Sequence, residues 1–354
     1  MNPGFAREPN NTAVTIQDVA DLAGVSITTV SHVINGTRFV SEDLTQRVLQ
    51  AMDQLGYKPN LLARGLRSGR TRTLGLVVPD MANLFFAEIS RAIEEIAFNR
   101  GYSLIICNSA DNPEKEKTYL GVLLAKQVEG IIFISAGSSE DILNELERCG
   151  VPLVYADREI PSQLADVVLL DNEFGGYLAT NHLIQLGHRQ IACISGPSGL
   201  TPSADRVAGY RRALVEAGLP VCPEYIVSGD FHYHSGEIGM LHLLDLEDPP
   251  DAVFISNDMM AFGSIRAVRS RNLRLPEQIS IVGFDDIILA QASSPALTTI
   301  AQPIQQMAEK VIELLFMRMH SNSAGMERQR VILKPELIIR DSTRALIQQP
   351  ERTR

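Results

Sequence analysis

Between Thr71 and Arg340 apolar runs alternate with amphipathic stretches, and that alternation leaves few folds open. The runs are TLGLVVP, YSLIICN, EGIIFIS, PLVYAD, VVLLD, QIACISG, AVFISND and SIVGFDD. They are nearly continuous in Val, Ile and Leu, the mark of strands covered on both faces. Helical stretches lie between them, for example Ala87–Asn99, Glu173–Leu186, Arg206–Ala217 and Met259–Arg271. Strands and helices in that order build parallel sheets with helices on either side. Eight such runs exceed one comfortable sheet, so the expected body is α/β, two doubly wound parallel subdomains with a cleft between them.

Ligands of open α/β sheets gather outside the carboxyl ends of the strands. Polar residues recur there: Asp80 and Asn83, Asp157, Asn257 with Asp258, and Asp285 with Asp286. Each alone reads as a helix cap. Their recurrence at strand after strand reads as a cleft lined with carboxylates and amides. Phe85 and Phe86 open a helix there and offer flat faces to a ligand, or pack into the core.

The segment Thr15 to Gly56 has a different period. Ile16, Val19, Ala20 and Ala23 fall on one face of a short helix, opened by a Thr15-x-x-Asp18 capping signal and closed by Gly24. Ser26 caps a second helix with Val30 and Val33 inward, and Ile27, Thr28 and His32 pointing away. A third helix from Ser41 turns Leu44, Val48, Ala51, Met52 and Leu55 inward and stops at Gly56. Two short helices joined by a tight glycine turn form a helix-turn-helix, whose second helix meets base edges in the major groove.

Lys58 to Arg67, KPNLLARGLR, joins the two parts. Pro59 and Asn60 make a helix start, but only about two turns follow, far short of the roughly 12–15 residues an isolated helix needs. Gly65 weakens it by about 1 kcal/mol more. Leu62, Ala63 and Leu66 nevertheless share one side, which suits a helix that orders only against an outside surface.

Charge is split along the chain. Residues 1–72 carry eight Lys/Arg and six Asp/Glu, about +2, so the remainder carries −12 of the formal net charge of −10. A mildly basic head on an acidic body fits an approach to phosphates by the head alone. Residues 1–13 read as a disordered polar arm, and no run is long enough to span a membrane. The four cysteines form no CxxC pair, which fits a reducing cytoplasm. Neither GxGxxG nor GxxxxGK[ST] nor GxSxG occurs. His232-Tyr-His234 beside Asp230 is the only cluster like a metal site and lacks further ligands, so neither metal nor cofactor is expected.

TIQDVADLAGVSITTVSHVING, followed by VSEDLTQRVLQAMDQLGYKPNLLARGL, resembles the DNA-binding head and hinge of the lactose-repressor (LacI/GalR) family, and the resemblance runs over about residues 14–341. It implies a helix-turn-helix domain at 14–58, a hinge helix and linker at 59–70 and an effector-binding, dimerising body at 71–345, with a short tail at 346–354. The body would be periplasmic-binding-protein-like. Its first subdomain would hold about 71–170 and 302–330, and its second about 171–300 and 331–345, with crossings near Asp171, Pro295–Gln302 and Val331.

On DNA the resemblance implies contacts from Thr15, Ser26, Ile27, Thr28, Thr29, Ser31, His32, Asn35, Asn60, Ala63 and Leu66, with Leu66 wedged into the minor groove beside its dimer mate. His32 stands where many members carry Arg, which would read guanine bidentately. In the cleft it implies effector contacts from Asn83, Phe85, Phe86, Asp157, Arg206, Phe231, Asn257, Asp285 and Gln302. Amides and carboxylates beside aromatic faces suit a sugar or sugar derivative, while a nucleobase would also stack on the Phe rings.

The expected function is a dimeric, effector-controlled repressor on a pseudo-palindromic operator, and not an enzyme. The tail has no heptads, so a homodimer is the expected assembly. A two-lobed solute receptor would share the body but would leave the head without a role.

Overall fold

The computed structural model describes residues 14–36, 38–57, 71–134, 145, 148, 150–158, 165–320 and 327–346. The polar arm, the hinge with Asn60, Ala63 and Leu66, and the end of the tail lie outside them. The chain divides into two compact units, at residues 1–71 and 72–354.

The N-terminal unit holds α1 (Ile16–Ala23), α2 (Ile27–Asn35) and α3 (Glu42–Leu55). Local chemistry sets each boundary. Thr15 and Asp18 form a reciprocal capping box, with Asp18 Oδ2 accepting from the Thr15 N–H at 2.7 Å. Ser26 Oγ accepts from the Thr29 N–H at 3.1 Å at the start of α2. Gly24, Gly36 and Gly56 end the three helices at left-handed φ near 60°, where a Cβ would be strained. The core is small: Val19, Ala20, Ala23, Val30, Val48 and Ala51 are buried, with Val33, Met52 and Leu55 packed around them. Leu44 is half-buried and lies outside that cluster. Arg47 on α3 reaches 24 residues back to donate to the Ala23 carbonyl at 2.6 Å, tying α3 to the end of α1.

Among the described residues, the C-terminal unit has two six-stranded sheets. In chain order the first contains β1 (Thr73–Val78), β2 (Ser103–Asn108), β3 (Gly130–Phe133), β4 (Leu153–Ala156) and β5 (Asp166–Leu170). The helices α4 (Leu84–Asn99) and α5 (Pro113–Ala125) belong to this lobe. The chain then crosses at Asp171 into α6 (Asn172–Gln185), β6 (Ile191–Ser195), α7 (Thr201–Glu216), β7 (Ile226–Ser228), α8 (Tyr233–Leu244) and β8 (Ala252–Ile255). Next come α9 (Asp258–Ser270), β9 (Ser280–Asp285), α10 (Ile288–Ala292) and β10 (Thr298–Ala301). It returns through α11 (Ile304–His320) to β11 (Arg330–Leu333) and ends with β12 (Glu336–Ile338).

The strand orders are β11-β5-β4-β3-β1-β2 and β12-β10-β9-β8-β6-β7. Every pairing is parallel except β10 with β12. β3, β4, β5, β6, β8 and β9 are buried along their whole length, as their unbroken apolar runs require. The third crossing falls at Lys334–Pro335 and not at Val331. Val331 to Leu333 register with Val168 to Leu170 of β5, and the Asp171 N–H donates to the Leu333 carbonyl at 2.8 Å, so these residues belong to the first lobe.

No helix among the described residues is long and apolar enough to cross a membrane.

Candidate nucleic-acid and effector sites

On α2, Val30 is fully buried and turns the opposite face outward. Ile27 and Thr28 are exposed, and Ser31, His32 and Asn35 half-buried, along that outward side. Thr29 Oγ1 hydrogen-bonds Ser26 Oγ at 2.9 Å, while Asn35 Nδ2 donates to the Ser31 carbonyl at 2.7 Å. Thr15 and Ser26 sit at the starts of α1 and α2, where orphan N–H groups favour a phosphate. Short polar side chains around one apolar residue, held by caps on a compact scaffold, present both donors and a methyl-binding surface to a groove.

In the C-terminal unit, the nine effector positions implied by the family resemblance line one chamber of about 30 Å³, while of the other strand-end residues Asp80 borders an outer chamber and Asp258 and Asp286 line neither. The first lobe supplies Asn83, Phe85, Phe86 and Asp157; the second supplies Arg206, Phe231, Asn257 and Asp285, and Gln302 lies on the connection between them. Two further residues line it, Arg158 and Pro202. Arg158 directly follows Asp157 at the end of β4, so the strand-end rule reached its neighbour but not it. Arg158, Phe86 and Phe231 also border an outer chamber of about 460 Å³, with Asp80, Asp111 and Asp230 at its rim. At this mouth His232 Nδ1 stands 3.8 Å from Asp80 Oδ2, one from each lobe.

Several of these side chains already serve the fold. Asn83 Oδ1 caps α4 through the Phe85 N–H at 3.1 Å. Asn257 caps α9 through the Met260 N–H at 2.9 Å while its Nδ2 donates to the Phe231 carbonyl at 2.9 Å. Arg206 is 4% exposed and heavily engaged. Its Nε donates to Asn172 Oδ1 at 2.8 Å, its Nη1 to the Ser256 carbonyl at 2.6 Å, and its Cζ lies 3.7 Å from the Phe284 ring centre. Gln302 Nε2 donates to Asp285 Oδ1 at 2.7 Å. Burial pushes the Asp285 carboxyl up to about 7, against the opposing pull of Arg206 and Gln302.

Four buried polar atoms in the chamber wall have no hydrogen-bond partner among the described residues: Asp157 Oδ1, Gln302 Oε1, and Arg158 Nε and Nη1. The nearest approach of Arg158 to a carboxylate, Nε to Asp157 Oδ2, is 3.9 Å. Leaving such a group unmade costs about 1–3 kcal/mol, more for a charged one. Three of the chamber residues, and Asp286 next to one of them, also hold left-handed backbone. Asp157, Phe231, Asp285 and Asp286 all have positive φ, at 66°, 69°, 112° and 56°. Non-glycine residues persist there only when their surroundings hold them, and such positions cluster at binding sites.

Residues 15–60 match the lacI family of bacterial regulatory proteins, and residues 180–343 match a periplasmic binding protein-like domain. The chain is 39% identical over 333 residues to the HTH-type transcriptional repressor PurR of Vibrio campbellii, covering 94% of this chain and 99% of that one. Its structure resembles the lac repressor dimer bound to operator and the anti-inducer ONPF, with a TM-score of 0.82 and 29% identity over 94% of this chain and 100% of that one. It also resembles a LacI family transcriptional regulator from Enterococcus faecium with bound ribose, with a TM-score of 0.70 and 32% identity over 78% of this chain and 100% of that one.

Proposed function

The chain belongs to the lacI family of bacterial regulatory proteins, DNA-binding transcriptional repressors that act as dimers on operators under small-molecule control, and we propose that its effector is a neutral sugar of pentose size held in the inner chamber. The observation that carries this is the balance of unsatisfied atoms. Two are acceptors, Asp157 Oδ1 and Gln302 Oε1, and two are donors on Arg158. A hydroxyl both donates and accepts, so a pair of neighbouring ring hydroxyls satisfies all four. Phe86 and Phe231 in the same wall offer apolar faces to the C–H side of such a ring. The Enterococcus regulator with bound ribose supports the same size and class. The chamber is narrow, about 30 Å³, so a sugar enters with the lobes apart and is enclosed as they close.

On the DNA side, Ile27, Thr28 and His32 of α2 read base edges in the major groove. Thr15, Ser26, Thr29, Ser31 and Asn35 contact the backbone or position those readers. Asn60, Ala63 and Leu66 belong to the hinge, with Leu66 entering the minor groove at the operator centre. The relatives are repressors, and we read the cleft as a binding site without catalytic chemistry.

Thermal unfolding of the full chain with D-ribose, other pentoses, hexoses, uronates and nucleobases tests the effector class. A pentose at one hundred times its Kd stabilises by about 2.7 kcal/mol, a shift of several degrees. A shift with a nucleobase and with no pentose overturns the reading.

A further inference from the structure

At the turn from β9 into α10 the four residues Asp285 to Ile288 each have a different attachment. Asp285 faces the chamber and accepts from Gln302. Asp286 pairs with Arg340 at 2.7 Å. The Ile287 N–H donates to Asp258 Oδ2 of the second lobe at 3.0 Å. The Ile287 side chain, 1% exposed, is buried in the first lobe's core with Phe85, Phe86 and Ile89. The next N–H, that of Ile288, donates to Glu88 Oε1 on α4 of the first lobe at 3.0 Å. Consecutive amides are thus held by carboxylates from opposite lobes.

The anchor on the second lobe is stiff. Asp258 is fully buried, opens α9, and accepts a 2.6 Å hydrogen bond from Thr299 Oγ1 on β10. The loop itself is strained, with two successive non-glycine residues at φ 112° and 56°. Behind it lies a cavity of about 370 Å³, bounded by Glu88 and Arg91 of the first lobe and by Asp286, Ile288 and Arg340 of the second.

We propose that Asp285–Ile288 is the joint through which occupancy of the chamber sets closure of the lobes, with Asp258 as its anchor and Glu88 as its receiver. This rests on the chamber being the effector site. A ligand touching Asp285 shifts the strained pair, and the shift reaches the first lobe through Ile287 and the Ile288–Glu88 hydrogen bond. Glu88 lines neither the inner nor the outer chamber, so it acts as a positioning residue.

The test uses the full chain, with D-ribose as probe. Glu88→Ala should lower D-ribose affinity about fivefold to tenfold, the value of one hydrogen bond that is stronger with the lobes closed than apart. Glu88→Gln keeps a carbonyl acceptor and should bind within about threefold of the parent, which a loss of general packing would not reproduce. Without ligand, amide exchange across Asp285–Ile288 should rise at least about tenfold in Glu88→Ala and not in Glu88→Gln. Unchanged D-ribose binding in Glu88→Ala overturns the joint. If the parent does not bind D-ribose, the pentose reading fails instead, and the exchange comparison decides the joint on its own: equal exchange in the parent and Glu88→Ala overturns it.

Discussion

Arg158 and Arg206 lie in the same chamber and do different work. Arg206 spends its donors on Asn172 and the Ser256 carbonyl and stacks on Phe284, which makes it a strut of the second lobe as well as part of the chamber wall. Arg158 is 7% exposed and keeps two donors unspent. Truncating Arg158 therefore removes unsatisfied polar atoms from the unliganded protein but removes the ligand's partners from the complex. Arg158→Ala should leave the unliganded melting temperature unchanged or raised and weaken pentose binding at least about tenfold, the loss of one or two charge-assisted hydrogen bonds. Calorimetric titration beside thermal unfolding checks both halves. Arg206→Ala should lower stability and affinity together, because its guanidinium closes contacts within the fold. The sequence pointed to Arg206 and Asp157 and passed over Arg158, because nothing in a one-dimensional pattern tells a satisfied guanidinium from an unsatisfied one.

Among the elements, the helix pairs on the second sheet show how chamber residues are held in place. α6 crosses α7 so closely that a Cβ at Gly176 would stand 2.1 Å from the Arg206 carbonyl oxygen, and one at Gly209 would stand 2.0 Å from the Glu173 carbonyl oxygen. The pair α8 and α9 repeats this, with Gly236 against the Met260 carbonyl oxygen at 2.0 Å and Gly263 against that of Tyr233 at 1.9 Å. The first crossing spaces Asn172 from Arg206; the second spaces Phe231 from Asn257. Gly239, on the same α8, would place a Cβ only at ordinary contact, 3.4 Å from Ile194 and Val227. Gly176→Ala should thus cost roughly 1–3 kcal/mol through displaced backbone and reduce effector affinity, while Gly239→Ala should change stability by less than about 1 kcal/mol and leave affinity intact. Denaturant unfolding and ligand titration of the two variants separate them. The core strands were legible from their continuous apolar runs. β7, β11 and β12 were not, being three or four residues long at sheet edges where half-exposed positions blur the pattern, and buried β10 was not because Thr298 and Thr299 break its apolar run.

For the whole molecule, the functional claim is linkage between effector and operator. A repressor whose two ligands are coupled must show the same factor from either side, and couplings of roughly 5–150-fold are usual. Operator affinity measured with and without saturating D-ribose should change by the same factor as D-ribose affinity measured with and without operator. Leu66→Ala should weaken operator binding while leaving D-ribose affinity without DNA unchanged; equal loss of both would remove Leu66 from the DNA contacts. The sequence alone determined the helix-turn-helix, whose caps and glycine stops are local, and the doubly wound character of the body, which is written in strand-length apolar runs. Strand-end position and family resemblance also marked the nine cleft residues. Only the tertiary structure decided which polar atoms there are already satisfied, where the chain recrosses after β11, and that one strained loop touches chamber and both lobes. Those are properties of pairs of residues far apart in the chain, fixed by packing and hydrogen-bond geometry that a pattern along the chain does not carry.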